Sequence, residues 1–320
     1  MTTVFDGAGK DGPRRAKVRI GTRGSPLALA QAQETKERLM AAHPELSESG
    51  AIEIHVIKTT GDQVQDRPLS EIGGKGLFTK EIEEALLSRV IDLAVHSMKD
   101  VPTWLPDGLE IACLLPREDA RDALIATSGT SIASLPRNAV VGSASLRRAA
   151  QIKALRPDLE VVSLRGNVET RIAKVQRGDA VATLLALAGL KRLGKATAAS
   201  AVISTDELLP AVAQGAIGIE TRKGDDRVNG YLAPLHHAAT GDRVAAERAC
   251  LAVLEGSCRT PIAAYAEISA DELHLRALIA QPDGSVIHRH EARGPLADSA
   301  ALGAETGRRL MEMAGPGFLR

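Results

Sequence analysis

Residues 139–155 read AVVGSASLRRAAQIKAL, an apolar run followed by a serine-containing turn and a segment with helical spacing. The apolar run predicts a strand over 139–142, and Ser145 precedes the helical segment as N-cap residues do. Arg147 and Arg148 therefore fall on the first turn of a helix that directly follows a strand. This strand–helix unit recurs along the chain, and its recurrence decides the fold.

Units of the same kind are predicted on both sides of this segment. The predicted strands are 18–21, 51–58, 92–96, 123–126, 139–142 and 160–164. The predicted helices are 26–42, 78–90, 146–155 and 168–177. Alternating strands and helices indicate parallel sheets with right-handed crossovers, and such sheets bind ligands at the carboxyl ends of their strands.

The pattern changes after about residue 241. A helix over 242–254 is followed by strand-like runs at 262–268, 273–280 and 285–292, and by a last helix over 296–314. We predict two α/β lobes and a small C-terminal α+β domain. The expected division is a disordered tail at 1–15, lobe 1 at 16–115 and 216–236, lobe 2 at 116–215, and the C-terminal domain at 237–320.

Composition argues against several classes of function. Forty Lys and Arg balance forty Asp and Glu over 320 residues, so neither nucleic acid nor an anionic membrane finds a net attraction. Aromatic residues make up 2% of the chain and provide no stacking platform for bases. The longest uncharged apolar stretch, 180–190, is too short to cross a bilayer. Three cysteines without a CxxC pair favour a reducing compartment, and we expect a cytoplasmic protein.

Arginine is concentrated where predicted strands pass into helices. The free N–H groups of a helix N-terminus attract anions, and guanidinium adds bidentate recognition of carboxylate or phosphate. Hydroxyls at the same junctions, from Ser25, Ser143 and Ser145, are either helix caps or further anion ligands. A surface ion pair explains any single arginine of this kind, but several at equivalent positions indicate a polyanionic ligand. The arginines concerned are Arg23, Arg147, Arg148, Arg165 and Arg171.

The segment HSMKDVP (96–102) places a cation and an acid side by side at the end of a predicted strand. Asp100 is positioned there for acid–base catalysis or for stabilising a positive charge. The alternative is an aspartate that caps the turn before Pro102. The loop GGKG (73–76) lacks the spacing of a nucleotide phosphate loop and is interpreted as a mobile loop or lid.

Cys258 differs from the other two cysteines in its predicted setting. It lies in the loop EGSCRTPI (255–262) beside an arginine, where a thiolate is favoured as a nucleophile or attachment point. Cys113 and Cys250 fall in an apolar run and a helix, and are interpreted as buried small hydrophobic residues. No histidine pair has carboxylate or cysteine partners at ligand spacing, so no metal is expected.

Eight segments together resemble the hydroxymethylbilane synthase (porphobilinogen deaminase) family. They are GTRGSPLALAQA (21–32), GGKGLFTKEIE (73–83), DLAVHSMKDVP (92–102), GSASLRRAAQ (142–151), SLRGNVETR (163–171), AGLKRLG (188–194), AVAQGAIGIE (211–220) and GSCRTPIAAYA (256–266). They occur in the family's order and cover nearly the whole chain from about residue 17. The resemblance implies two lobes like those of type II periplasmic binding proteins, and a third, smaller domain.

The resemblance also implies a reaction. A dipyrromethane cofactor is attached by a thioether to Cys258, and the enzyme adds four porphobilinogen molecules head to tail in tetrapyrrole (porphyrin, haem) biosynthesis. Each addition releases ammonia, and the linear hydroxymethylbilane is finally hydrolysed off. Because every pyrrole carries an acetate and a propionate, the growing chain accumulates carboxylates, which fits the arginine-rich junctions. A monomer is expected by resemblance.

Family matches assign roles residue by residue. Asp100 is the implied catalytic residue, whose carboxylate stabilises the charge left by loss of ammonia and moves a proton. The implied cofactor-binding residues are Cys258, Lys99, Asp100, Ser143, Ser145, Arg147 and Arg148. The implied substrate-binding residues are Arg23, Ser25, Lys75, Ser97, Arg165, Arg171 and Arg192, of which Lys75 belongs to the flexible loop.

Three positions depart from the family pattern. Glu71 stands where many relatives have lysine, so the loop lacks a cation there. Ser143 replaces a common threonine and keeps the hydroxyl. Ala213 replaces a usual glycine, and little chemical consequence is expected.

Two other functions remain open from the sequence. A non-catalytic bilobal protein that binds polyanions explains the arginines, but not Asp100 beside Lys99 or a cysteine in a separate domain. A nucleotide-dependent transferase would use the GGKG loop and predicts protection by nucleotide against unfolding. Intact mass distinguishes the enzyme from a binding protein, because only the enzyme is heavier than its sequence by two pyrrole units.

Overall fold

The computed structural model describes residues 17–63, 76–254 and 260–318. Three sequence predictions lie outside these residues: the tail over 1–15, the loop positions Glu71 and Lys75, and the position of Cys258.

The elements alternate through the first two-thirds of the chain. The strands are β1 (Val18–Thr22), β2 (Ile52–Val56), β3 (Leu93–Ser97), β4 (Leu109–Leu114), β5 (Asp122–Ala126), β6 (Val140–Gly142), β7 (Glu160–Val162), β8 (Ala182–Ala186), β9 (Ala201–Val202), β10 (Ile217–Arg222), β11 (Ile262–Ser269), β12 (Glu272–Ala280) and β13 (Ile287–Pro295). The helices are α1 (Pro26–Ala42), α2 (Thr60–Gln63), α3 (Lys80–Leu87), α4 (Leu146–Leu155), α5 (Val168–Gln176), α6 (Leu187–Arg192), α7 (Asp226–Leu232), α8 (Ala238–Val253) and α9 (Ser299–Ala314). Every predicted strand and helix is present, with ends that differ by a few residues.

Two five-stranded sheets share one arrangement. The first has the order β2-β1-β3-β10-β4, in which β2, β1 and β3 are parallel and β10 is antiparallel to both neighbours. The second has the order β7-β6-β8-β5-β9, with β5 antiparallel to β8 and β9. The prediction of parallel sheets is therefore confirmed for part of each sheet and wrong for β5 and β10, because both sheets are mixed.

The antiparallel strands have a common origin in the path of the chain. β5 is the first strand after the chain passes from the first sheet to the second, and β10 is the first strand after it returns. Each enters its sheet from the other lobe and not through a helical crossover, so the rule that makes βαβ units parallel does not apply to it. The crossing segments 115–121 and 203–216 join the two lobes.

A third sheet, β11-β12-β13, is antiparallel throughout and packs against α8 and α9. These helices approach closely because glycines of α9 face α8. A Cβ atom on Gly303 would overlap the carbonyl oxygen of Ala246, and one on Gly307 would crowd Val253. The fold is thus two α/β lobes and a small α+β unit, as predicted.

A buried ion pair joins this third unit to the segments between the lobes. Arg117 donates to both carboxylate oxygens of Glu247, at 2.6 and 3.1 Å, and both side chains are almost fully buried. Glu247 also accepts the amides of Ala213 (2.6 Å) and Ala266 (2.8 Å). Both segments that join the lobes are therefore attached to α8 and β11 at a single carboxylate.

Several elements have no clear pattern in the sequence. β8 and α6 share the continuous apolar run 180–190, in which a fully buried strand and a buried helix have the same composition. All six residues of β10 are buried, including Glu220 and Arg222, so the strand does not alternate between apolar and polar residues. β4, β9 and α7 are likewise absent from the predicted elements.

Candidate active site

Two strand ends lie side by side because β1 and β3 are parallel neighbours. β1 leads through Arg23 to Ser25, whose hydroxyl accepts the amide of Ala28 (3.3 Å) and caps α1. β3 leads into a 3₁₀ turn over Met98–Asp100. The topology therefore brings Arg23 and Asp100 to the same edge of the first sheet.

The guanidinium of Arg23 is held from three sides. It pairs with Asp62 (Nε to Oδ2 3.1 Å) and lies over the Phe78 ring, 4.0 Å from the ring centroid. Its Nη1 atom is 3.9 Å from Oδ2 of Asp100. Burial acts to raise the pKa of Asp62, but hydrogen bonds from Arg23 and Thr59 bring that pKa below its ordinary value. Arg23 thus faces a firmly ionised carboxylate on one side and Asp100 on the other.

A pocket opens at this edge, lined by residues of β3, α1 and the segment before α3. Gln31 and Ser97 hydrogen-bond through their side chains (2.9 Å), and Nε2 of His96 is 2.9 Å from the buried Glu220. The side chain of Asp100 is 34% exposed, so its carboxylate is accessible from the pocket. The lining residues include Arg23, Ser25, Gln31, Phe78, His96, Ser97 and Asp100.

Lys99 links this edge to the second lobe. Burial lowers the pKa of Lys99 from 10.5 to about 8. The negative charge of Asp100 opposes this shift, whereas the positive charges of Arg148 and Arg147 reinforce it. Because Lys99 follows β3 and the two arginines lie on α4, the charges that interact here come from both lobes.

Arg147 and Arg148 lie on the first turn of α4, as predicted, but both bind a carboxylate that the sequence analysis did not single out. Asp122, at the start of β5, accepts from Nη2 of Arg147 (2.7 Å) and Nη2 of Arg148 (2.6 Å). Their Nη1 atoms donate to the carbonyls of Leu209 and Leu184. The buried Nε atoms of both arginines have no hydrogen-bond partner among the described residues.

The serines at the end of β6 make capping contacts. Ser145 accepts the amide of Arg148 (3.4 Å), and Ser143 accepts the amide of Ser145 (3.2 Å). The contact of Ser145 confirms its interpretation as a helix cap, whereas Ser143 bonds within the turn that precedes the helix. Since a hydroxyl both donates and accepts, each serine keeps capacity for a ligand.

Arg171 and Arg165 belong to the same group of cations in the second lobe. Nε of Arg171 donates to the Gly166 carbonyl (2.7 Å). Burial lowers the pKa of Arg171 to about 10; the charges of Arg148 and Arg165 add to this shift, and that of Asp100 opposes it. Arg171 is therefore within electrostatic reach of the proposed catalytic carboxylate.

Arg192, at the end of α6, bridges the lobes. Its Nε atom is 3.2 Å from Oε2 of Glu34 on α1, and its Nη2 donates to the Gly215 carbonyl (3.1 Å). The side chain of Arg192 is only 9% exposed. An anion that binds Arg192 must therefore use the N–H donors that Glu34 and the Gly215 carbonyl leave free, or displace the Glu34 carboxylate.

The two described cysteines are buried, as predicted. Cys113 and Cys250 have no exposed area, and burial raises the pKa of each thiol to about 12. Thiols of this kind are poor nucleophiles because the thiolate is the reactive form.

The carboxylates that partner the arginines were missed by sequence reasoning. Asp62, Asp122 and Glu34 each bind an arginine that had been predicted to bind ligand. Asp122 carried a usable signal, because an acid that begins an apolar strand is rarely buried without a cationic partner.

Over residues 17–63, 76–254 and 260–318, no cluster of His, Cys, Asp or Glu has the arrangement of a metal site. No helix in these ranges is both long and apolar enough to span a bilayer.

Two family models match this chain. The model described as porphobilinogen deaminase, dipyromethane cofactor binding domain, matches residues 18–230, and the model described as porphobilinogen deaminase, C-terminal domain, matches residues 242–312.

Individual proteins show the same similarity. The chain is 58% identical to the chloroplastic porphobilinogen deaminase of Oryza sativa subsp. japonica over 304 residues, which are 94% of this chain and 85% of that protein. It is also 58% identical to the porphobilinogen deaminase of Paracoccus denitrificans over 288 residues, 90% of this chain and 91% of that protein. Among solved structures, an ABC transporter periplasmic substrate-binding protein from Coxiella burnetii aligns with 70% of this chain and 93% of its own, at 15% identity and a TM-score of 0.41.

Proposed function

The chain belongs to the porphobilinogen deaminase family, and on this premise we propose how the residues between its lobes carry out the reaction. The protein is a transferase that joins four porphobilinogen molecules head to tail on a dipyrromethane primer. It releases ammonia at each addition and finally hydroxymethylbilane. The observation that carries the proposal is an accessible carboxylate, Asp100, set against Arg23 and Lys99 in a cleft rich in cations.

The residues present fit a cofactor that carries several carboxylates. Lys99, Arg147 and Arg148 approach one another from the two lobes, and the Nε atoms of both arginines are buried without a partner among the described residues. Ser143 and Ser145 add hydroxyls at the same strand end. We propose that these five residues hold the carboxylates of the dipyrromethane, because charge-assisted hydrogen bonds are the strongest available to them. When bound, the dipyrromethane supplies the free pyrrole carbon to which the first substrate is joined.

Asp100 is proposed to act on porphobilinogen itself. Loss of ammonia from the aminomethyl group spreads positive charge over the pyrrole ring, and a carboxylate fixed nearby lowers the energy of that charge. Arg23, at 3.9 Å, orients the Asp100 carboxylate. The same carboxylate can accept a proton from the pyrrole and return it, since it is accessible from the pocket.

The remaining cations are proposed to hold the acetate and propionate groups of the substrate and of the growing chain. Arg23, Ser25 and Ser97 surround the pocket of Asp100. Arg171 is within electrostatic reach of Asp100, and Arg192 would exchange Glu34 for a carboxylate of the product. The residues assigned to this role are Arg23, Ser25, Lys75, Ser97, Arg165, Arg171 and Arg192.

We propose that the primer is anchored by a thioether to Cys258. Support comes from the two other thiols, which are buried and have pKa values of about 12, so neither is suited to form such a bond.

We also propose that the lobes and the C-terminal domain divide near residues 115, 216 and 237, and that the protein acts as a cytoplasmic monomer.

Intact mass tests the anchor, and turnover tests the reaction. The purified protein is expected to be heavier than its sequence by two pyrrole units, and this mass should be absent from Cys258→Ser and retained in the matched control Cys113→Ser. Protein with the mass of its bare sequence would contradict the anchor. Binding of porphobilinogen without release of ammonia would instead favour a polyanion-binding protein.

A further inference from the structure

Asp122 is a buried carboxylate of the second lobe that takes no part in the steps proposed above. Its Oδ2 atom is 2.7 Å from Nη2 of Arg147, and its Oδ1 atom is 2.6 Å from Nη2 of Arg148. Asp122 has no exposed area, and the side chains of the two arginines are 5% and 6% exposed. One carboxylate therefore faces two buried guanidinium groups, and the group as a whole keeps a positive charge.

The helix alone does not place these two guanidinium groups together. Successive residues of an α-helix point about 100° apart, so Arg147 and Arg148 leave α4 in different directions. Asp122 gives one oxygen to each and draws both to the same point. Burial and the charge of Arg148 lower the pKa of Arg147, whereas the charge of Asp122 raises it. The Asp122 carboxylate thus offsets the repulsion between the two guanidinium groups, which is unfavourable when two like charges are buried side by side.

Asp122 is also attached to both segments that join the lobes. Nε2 of Gln214 donates to Oδ1 of Asp122 (2.9 Å) and to the Ala120 carbonyl (2.7 Å). Gln214 belongs to the crossing segment 203–216, and Ala120 belongs to the segment 115–121. The position of the arginine pair is therefore set relative to the boundary between the lobes, where Lys99 lies within range of the Asp122 charge.

We propose that Asp122 is a positioning residue for cofactor carboxylates: it aligns Arg147 and Arg148 through their Nη2 atoms and leaves their Nε–H groups for the ligand. This inference rests on the function proposed above. The Nε atoms are the second line of support, because each is buried with no hydrogen-bond partner among the described residues. Buried donors are mostly satisfied within the protein. The structurally paired Arg222 also has a buried Nε that is unpaired within the described part of the chain, but Arg147 and Arg148 present two of them on guanidinium groups that share one carboxylate.

The experiment measures the fraction of full-length protein that carries the added mass of the cofactor, as purified and after incubation with porphobilinogen. Asp122→Asn keeps the shape of the side chain and removes its charge. We expect the loaded fraction to fall at least about tenfold, as loss of one partner of a buried charged pair predicts. Asp122→Glu restores the charge one methylene further out, and its loaded fraction should lie between those of the wild type and Asp122→Asn.

A matched control separates positioning from general stability. Asp92 is another buried aspartate that pairs with arginines, Arg19 and Arg227, but it lies at the opposite end of β3 from Asp100. Asp92→Asn should lower the midpoint of thermal unfolding and leave cofactor loading complete. Equal loss of cofactor in Asp92→Asn and Asp122→Asn would overturn the inference.

The remaining outcomes also decide the question. Full loading of folded Asp122→Asn would overturn the inference while the proposed function stands. If Asp122→Asn does not fold, the test uses the rate at which Asp122→Glu gains the mass of the cofactor during incubation with porphobilinogen. A rate equal to that of the wild type would overturn the inference. A wild-type chain without added mass would contradict the proposed function itself.

Discussion

The carboxylate of Asp100 lies 3.9 Å from the guanidinium of Arg23. The two residues are far apart in the sequence and meet because β1 and β3 are parallel neighbours whose carboxyl ends share one edge. Arg23 is held in place by Asp62 and Phe78. Its position near Asp100 therefore does not depend on a direct ion pair with Asp100. The geometry leaves the Asp100 carboxylate oriented and accessible, which is what a developing positive charge requires.

Replacement of Asp100 tests this role directly. Asp100→Asn keeps the shape of the side chain but removes the negative charge, so turnover of porphobilinogen should fall at least about 100-fold. Intact mass should show that the bound cofactor is largely retained, and the midpoint of thermal unfolding should show that the fold is. Asp107→Asn, an exposed aspartate of the loop before β4, is the control and should keep its activity. Turnover within a few-fold of the wild type would refute the role of Asp100.

The pKa of Lys99 predicts how stability changes with pH in protein without cofactor. Burial brings this pKa to about 8 in the folded protein, against 10.5 ordinarily. Between these values the unfolded chain binds more protons than the folded one, so the free energy of unfolding must rise with pH. In a Cys258→Ser background, the midpoint of thermal unfolding should therefore rise from pH 8 to pH 10 relative to that of the same protein with Lys99→Met.

A second variant completes the pH experiment. Lys80→Met, on the exposed face of α3, is measured in the same Cys258→Ser background as a control for loss of a lysine, and its midpoint should follow that of the background protein at every pH. The decisive quantity is the difference in midpoint between the background protein and its Lys99→Met variant. A difference that stays constant from pH 8 to pH 10 would show that Lys99 does not titrate as its burial predicts.

The Arg117–Glu247 pair predicts a large loss of stability. Glu247→Gln leaves a buried guanidinium without its counter-charge and sets an amide against two backbone N–H donors. The cost is expected to be about 3–5 kcal/mol, seen as a lower midpoint of denaturant or thermal unfolding. Glu305→Gln, at an exposed ion pair of α9, should change the midpoint little. Similar effects of the two variants would contradict the structural role given to Glu247.

Two glycines predict opposite effects of the same substitution. Gly303→Ala would place a Cβ atom against the Ala246 carbonyl and force α8 and α9 apart, at an expected cost of about 1–3 kcal/mol. Gly230, on α7, has no atom within 4 Å of the position of a Cβ, so Gly230→Ala should stabilise the protein by about 0.5–1 kcal/mol. Unfolding midpoints measured in parallel check both signs, and a stabilising Gly303→Ala would show that the helices can separate freely.

Local pattern was sufficient for many of the elements but not for the direction of all strands. The helix Pro26–Ala42 begins at a proline preceded by a capping serine, and the structure has those same ends. β5 contains an apolar run like its neighbours, yet β5 and β10 are both antiparallel to their neighbours because each follows a passage between lobes. A strand's composition does not record the direction from which the chain arrives.

The site likewise has one part that the sequence predicted and another that it did not. Which residue types gather at strand ends was visible in the sequence, because arginine, serine and Asp100 follow predicted strands. Their partners could not be assigned from the sequence: Asp122, an acid that begins an apolar strand, indicates a cationic partner without saying which, and Glu34 is one of several acids on an exposed-looking helix. Whether an arginine is free for a ligand depends on which carboxylate lies beside it, and that neighbour comes from a distant part of the chain.

The order of strand–helix units, the crowding of cations at their junctions and the family were thus determined by the amino-acid sequence alone, since each depends on residues that are close together in the chain. Only the tertiary structure decided that Asp122 joins Arg147 to Arg148, that Glu34 meets Arg192 across the lobes, and that Lys99 lies partly buried among charges from both lobes. Electrostatic interactions act through space and grow stronger when water is removed, so they are defined only once folding has brought these groups together.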